Sequence, residues 1–297
     1  MLKKTLLLSL LFAVSIILAA FLCFGNDSNQ PIAGPYLITA PHIPKNLEFA
    51  AEPVPLNNQE VLERLDRELV SNVYFHSQTI LNIKKAQKYF PLIEKILQEN
   101  GVPDDFKYLC VIESNLSNLV SPAGAAGYWQ FLAPTGKSFG LEITSEVDER
   151  YNLEKSTKAA CQYLKEAYTR FNSWTWAAAS YNMGQAGLSG KMYSQKENNY
   201  YNLLLVEETQ RYLFRILAVK LIFQKPETYG FHILKQEKYN WPKYKTIAIN
   251  NNINNLTIFA KENNISYKDL KYLNPWLRDT ILRNPYNKSY EIKILIK

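Results

Sequence analysis

From Asn58 onward the apolar residues fall into helical spacing. Val61, Leu62, Leu65 and Leu69 mark one stripe, and Ile80 to Ala86 carry a second helix. A third helix is predicted to open at Pro91 and stop at Gly101, since proline suits a helix start and glycine a helix end. Helical spacing returns at Ala160, Leu164, Ala167, Tyr168 and Phe171. It returns again at Tyr212, Leu213, Ile216, Leu217 and Lys220, the last helix before Pro226. Strand-like alternation is scarce, so residues 58–225 read as one all-helical domain. Around Tyr244 the period changes. Lys245 to Ile249 alternates polar and apolar, Leu256, Phe259 and Ala260 suggest a short helix, and Ser266 can cap another carrying Leu270 and Leu273. Tyr290, Ile292 and Ile294 alternate again. The expected fold is mainly α, with a small α+β module of strand, helix, helix and strand over residues 243–297 and a linker over 226–242.

The first 57 residues do not fit that helical pattern. Lys3 and Lys4 precede an uncharged apolar run from Leu6 to Phe24, which reads as an export signal over residues 1–25. The run also approaches the roughly 20 residues needed to span a bilayer, so an uncleaved membrane anchor is the alternative. Cys23 and Gly25 would allow a cut before Asn26. Cys23 could also take a lipid, but Leu22 is bulky where lipid-attachment motifs take a small residue. Either way the protein is expected outside the cytoplasm, in the cell envelope or periplasm. Residues 26–57 hold Pro31, Pro35, Pro41, Pro44, Pro53 and Pro55 with no sustained period, the composition of a linker or surface arm.

Composition adds limits. With 47% hydrophobic and 13% aromatic residues the 297-residue chain can bury a full core, which excludes general disorder. The 20 tyrosines suit sugar rings and ordinary cores alike. A net charge of +7 fits an acidic polymer, an anionic surface or a solvated lysine-rich face. No run of five like charges and no nucleic-acid motif accompanies it, so no nucleic-acid partner is expected, and no oligomeric state is favoured. His42, His76 and His232 lie far apart without metal-ligand spacing, so neither a metal nor another cofactor is expected. Cys110 and Cys161 are either a disulfide or two buried thiols.

One residue breaks the pattern of its own helix. Pro103, Asp104 and Asp105 supply a helix start with acidic groups near the positive end of the dipole. Phe106, Leu109 and Cys110 form an apolar stripe, and the next position on it is Glu113. A carboxylate facing the core is desolvated, which favours the protonated form that a general acid needs near neutral pH. The alternative is a glutamate fixed by backbone or arginine. The sequence that follows, SNLSNLVSPAGAAGYWQF, is polar and rich in small residues, so it can leave a groove beside the carboxylate. Gly124 and Gly127 permit tight turns or close approach there. Gln130 can hydrogen-bond sugar hydroxyls or amides, and Trp129 can stack on a ring or pack in the core.

Four blocks in order make the chain resemble the soluble lytic transglycosylase family. They are Glu113-Ser114, the run Ser121 to Gln130 (SPAGAAGYWQ), the run Ala179 to Gly184 (ASYNMG), and Glu208-Thr209 with Tyr212. The likeness covers roughly residues 75–225 and is nearest to the membrane-bound lytic murein transglycosylase D group. It implies a lysozyme-like helical catalytic domain and peptidoglycan glycan strands as substrate. By position, Glu113 matches the family's acid/base, and Ser114, Ser121, Gly127, Trp129, Gln130, Tyr181 and Asn182 match substrate-binding or groove-shaping positions. Tyr181 can hydrogen-bond near the scissile bond or the Glu113 carboxyl, or pack beneath the catalytic helix. Glu208 and Tyr212 match structural positions near the site, and Ser180 stands where the family usually has alanine. The family reaction needs no second carboxylate, since the substrate's own 6-hydroxyl replaces water and leaves a 1,6-anhydromuramoyl end. The last 55 residues resemble a degenerate LysM module, through DLKYLNPWLRD (Asp269 to Asp279) and the closing strand. Asn252 to Asn255 replace its usual Gly-Asp pair, which leaves either glycan binding or docking against the catalytic domain as its role.

Overall fold

The computed structural model describes residues 38–296. The export-type segment and the first part of the proline-rich stretch lie outside the described residues. Asn58 starts the first helix, α1 (Gln59–Tyr74), by accepting a hydrogen bond from the Glu60 amide, and Val61, Leu65 and Leu69 bury its apolar stripe. The second helix, α2, runs unbroken over His76–Glu99 with Pro91 inside it, where two helices were expected. An interior proline costs about 3 kcal/mol. Here Ile83 and Ala86 before it and Ile93, Ile96 and Leu97 after it pack into one core, and that shared burial outweighs the lost hydrogen bond. The stop is where the glycine places it, with Gly101 in the left-handed region at φ 66°.

Helix α3 (Phe106–Ser114) is only nine residues long and is enclosed on most sides. Phe106, Tyr108, Leu109, Cys110, Val111 and Ser114 are all buried. A small helix α4 (Ala133–Ser138), then α5 (Leu153–Phe171), α6 (Trp174–Met183) and α7 (Gln185–Gln195) lead to α8 (Glu207–Gln224). Helix α8 packs on α1, α3 and α6, and so forms the hub of the domain. Glu68 of α1, only 2% exposed, takes Arg211 of α8 through Nε at 2.6 Å and Nη2 at 3.3 Å.

The segment before α1 is part of this core. Strands β1 (Glu48–Phe49) and β2 (Glu52–Pro53) form a minimal hairpin whose Phe49 is fully buried against Phe106. Its turn residues Ala50 and Ala51 both sit at positive φ, a conformation costing an alanine about 1–2 kcal/mol. Asp105 compensates by accepting the Ala50 amide at 2.7 Å and pairing with Lys220 of α8 at 2.7 Å, while Lys220 also donates to the Glu48 carbonyl. Glu52 accepts the Trp174 and Thr175 amides and the Ser173 hydroxyl, capping α6. Proline content suggested a linker or surface arm here and gave no sign of these two anchoring residues. Asp105 itself makes no side-chain cap on α3.

Beyond α8, Tyr229 and Phe231 are buried on the same core. Strands β3 (Tyr244–Ile249) and β4 (Tyr290–Leu295) pair antiparallel, with Ile247 opposite Ile292. Between them lie α9 (Leu256–Glu262) and α10 (Tyr267–Leu273), the latter capped by Ser266, whose Oγ accepts the Asp269 amide at 3.0 Å. The fold is therefore mainly helical, with a small strand–helix–helix–strand module. Cys110 and Cys161 are buried and free. Among the described residues no helix is long and apolar enough to cross a membrane.

Removing one partner of a buried ion pair leaves an uncompensated charge. Lys220→Met is therefore expected to destabilise the protein by about 3–5 kcal/mol. Adding Asp105→Asn should return a large part of that loss, read by urea unfolding of both variants.

Candidate active site

Glu113 is delivered by the last turn of α3. The helix ends because Asn115 and Leu116 adopt positive φ, at 52° and 51°, and turn the chain away. Helix α2 grips that end. Asn82 donates to the Asn115 side chain at 2.9 Å, and Lys85 reaches the Asn115 carbonyl at 2.9 Å and the Ser117 hydroxyl at 2.6 Å. The carboxylate is thus held on a short helix most of whose other positions are buried.

The carboxyl lies in a cleft of about 930 Å³, between the loop after α3 on one side and α6 and α8 on the other. It is partly buried, and its Oε1 accepts a hydrogen bond from the Tyr212 hydroxyl. Burial raises its pKa from 4.5 to about 7. The Tyr212 bond and the Arg215 charge pull it down, and the Glu208 charge pushes it further up. Near neutral pH a substantial fraction of Glu113 therefore carries a proton. Burial and the Glu113 charge also hold the Tyr212 hydroxyl well above its ordinary range, so it remains a donor.

Tyr212 was expected to be structural near the site; it is the residue that touches the carboxyl. Glu208, Tyr212 and Arg215 recur at i, i+4 and i+7 of α8 and all line the cleft. That spacing is the signal by which Arg215 could have been found in the sequence. Tyr181 also lines the cleft, but its hydroxyl donates to the Trp129 carbonyl at 2.8 Å, so it makes no hydrogen bond to Glu113 here. Its ring packs edge-on against Tyr163 and Trp129.

The loop supplies Ser121 and Gln130. Ser121 Oγ accepts the Ala125 amide at 3.0 Å, which leaves its proton for a ligand. Gln130, at φ 50°, donates its side-chain amide to the Leu119 and Gly127 carbonyls, so toward a ligand it offers only an acceptor. Asn182 accepts from Thr209 through Oδ1 at 2.7 Å, leaving the opposite pattern, two donors. Three residues named with the groove lie beneath it. Ser114 is buried and donates to the Tyr128 carbonyl at 2.7 Å. Trp129 is fully buried with its indole N–H on Thr157 at 2.8 Å, so it presents no stacking face. Gly127, at φ 81°, lets the Arg150 carbonyl approach so closely that a Cβ would sit 1.9 Å from its oxygen. Among the described residues no cluster of three or more His, Cys, Asp or Glu side chains is placed to hold a metal ion.

Residues 90–204 match the family model described as the transglycosylase SLT domain, and residues 245–295 the soluble lytic transglycosylase C-terminal LysM-like domain. The chain is 26% identical over 182 residues to the membrane-bound lytic murein transglycosylase D of Escherichia coli (strain K12), and equally to that of Escherichia coli O6:H1. The alignment covers 59% of this chain and 39% of each relative, so the chain spans about two fifths of the length of the curated relatives it matches.

A carboxyl raised to about 7 favours the folded state most below its ordinary value of 4.5, and that contribution fades as pH rises through 7. Glu113→Gln should accordingly be more stable than the parent at pH 8, by up to about 3 kcal/mol, with the gap closing below pH 4.5. Tyr212→Phe removes the donor that favours the carboxylate, so NMR titration should find Glu113 titrating higher still.

Proposed function

We propose that this chain, which carries an SLT domain and a LysM-like C-terminal domain, is a peptidoglycan lytic transglycosylase with Glu113 as its acid/base. The observation that carries the reading is the Glu113 carboxyl, its pKa pushed up to about 7 by burial, in a cleft lined by the donors and acceptors of Ser121, Gln130 and Asn182. Glu113 protonates the oxygen joining N-acetylmuramic acid to N-acetylglucosamine, and the bond to the muramoyl anomeric carbon breaks. The substrate's acetamido oxygen stabilises the cationic centre that results. Glu113, now a carboxylate, takes the proton of the muramoyl 6-hydroxyl as that oxygen attacks the anomeric carbon. A 1,6-anhydro ring forms, the proton returns to Glu113, and no water is consumed. Attack from within the same sugar gains from proximity, which supports a site with one working carboxylate. Tyr212 fits this cycle by stabilising the carboxylate stage through its hydrogen bond.

A second reading has its own observation. Glu208 lines the same cleft, and hydrolases of the lysozyme type use two carboxyl groups. It is exposed on the first turn of α8. That position favours tuning Glu113 by charge over activating a water. The apolar run from Leu6 to Phe24 and the names of the relatives support a place in the cell envelope, with the substrate.

Digestion of sacculi should release muropeptides with 1,6-anhydro ends, one water lighter by mass spectrometry than hydrolysis products. Reducing ends alone would establish the hydrolase. Glu113→Gln should lower turnover by about two orders of magnitude or more, because it keeps the shape and loses the transferable proton. Glu208→Gln should retain most of it.

A further inference from the structure

One wall of the cleft, the loop from Leu119 to Phe131, depends on residues far along the chain. Ala126 at its centre is 1% exposed, and it is buried in the core of the C-terminal module, with Val147, Tyr151, Leu256 and Leu282. Arg150 holds the same loop through hydrogen bonds. Its Nη1 donates to the Gly124 carbonyl at 3.0 Å and to the Phe131 carbonyl at 3.1 Å, so one nitrogen ties two points of the loop together. Its Nε and Nη2 take the Asp148 carboxylate from the other side, at 3.0 and 2.7 Å, and its own carbonyl closes on Gly127. All three guanidinium nitrogens are thus engaged between Asp148 and the loop.

Asp148 and its neighbours are in turn fixed by the module. The Asp148 amide donates to the Trp276 carbonyl at 2.9 Å, and the Arg278 amide donates to the Glu146 carbonyl at 2.7 Å. Arg283 binds the Glu146 carboxylate through its backbone N–H at 2.6 Å and through Nε. The Arg278 guanidinium lies 4.0 Å over the Tyr151 ring. Residues 146–151 are therefore clamped between the module and the catalytic loop.

We propose that the C-terminal module braces the wall of the catalytic cleft, with Arg150 as the positioning residue that ties the wall to it. The module's contribution to turnover is then geometric: it sets where Ser121 and Gln130 stand relative to Glu113. Only the consequence for turnover rests on the proposed function. A lysine cannot take Arg150's place, since one ammonium cannot present a planar fork to Asp148 and a third nitrogen to two carbonyls.

Hydrogen exchange on the full chain tests this directly. In Arg150→Met, amides of residues 121–131 should exchange about tenfold faster while those of α3 and α8 keep their protection. Arg283→Met removes a side chain that is 69% exposed, so the fold is retained, and it should speed exchange in the same loop to a smaller degree. On glycan strands both variants should raise KM, with the pH limb set by Glu113 unmoved, and Arg150→Lys should behave like Arg150→Met. Unchanged loop exchange in both variants, acceleration spread evenly over α3, α8 and the loop, or full recovery in Arg150→Lys would overturn the brace. If the loop responds as expected but the parent protein releases no anhydro products, the proposed activity falls and the brace stands.

Discussion

The enclosure of α3 is the constraint on which the rest depends. Nine residues leave six side chains buried, so the helix cannot tilt or slide without opening the core. Its last turn carries the one carboxyl of the helix, and the helix itself packs on α2 and α8. Desolvation of that carboxyl costs free energy whenever it is ionised, and the surrounding packing is what sustains the cost. Acid strength near neutrality thus comes from packing, with Tyr212 and Arg215 limiting how far it rises.

Several long-range bonds serve that enclosure. Asp105 stands just ahead of α3 and joins three separate stretches of chain: the β1–β2 hairpin, α3 itself and α8. Lys85 and Asn82 fix the opposite end of the helix through Asn115. Both ends of α3 are therefore tied by hydrogen bonds to neighbouring elements, and Glu113 inherits a fixed position. The cleft wall opposite is anchored at its C-terminal end by Tyr128, Trp129 and Phe131, buried in the catalytic core. Its part around Gly124 to Ala126 is held by Arg150 and by a module whose sequence begins more than a hundred residues later.

Much of the architecture was legible in local pattern. The helical spacing of 58–225, the change of period near Tyr244 and the Ser266 cap are consequences of backbone geometry, which residue order exposes directly. Glu113 was visible because a charged residue at a core-facing position conflicts with its own helix. Pro91 misled because local propensity is a weak effect beside the burial of both helix halves in one core. The Pro-rich stretch misled for a related reason: Phe49 and Glu52 act through contacts more than fifty residues away, and no period marks them.

The sequence by itself therefore determined the helical character of 58–225, the strand–helix–helix–strand order of the last residues, the candidate acid and the blocks that flank it, all matters of spacing along one segment. Tertiary structure decided which of those residues face the cleft. Ser114 and Trp129 stand next to Glu113 and Gln130 in the chain, yet their side chains turn inward, the Ser114 hydroxyl to the Tyr128 carbonyl and the Trp129 indole N–H to Thr157. Tyr212 lies 99 residues from Glu113, and only the packing of α8 on α3 brings its hydroxyl to the carboxyl. The pKa of Glu113 and the position of the cleft wall belong to the same class. Each is fixed by distances between segments remote in sequence, and residue order alone does not contain them.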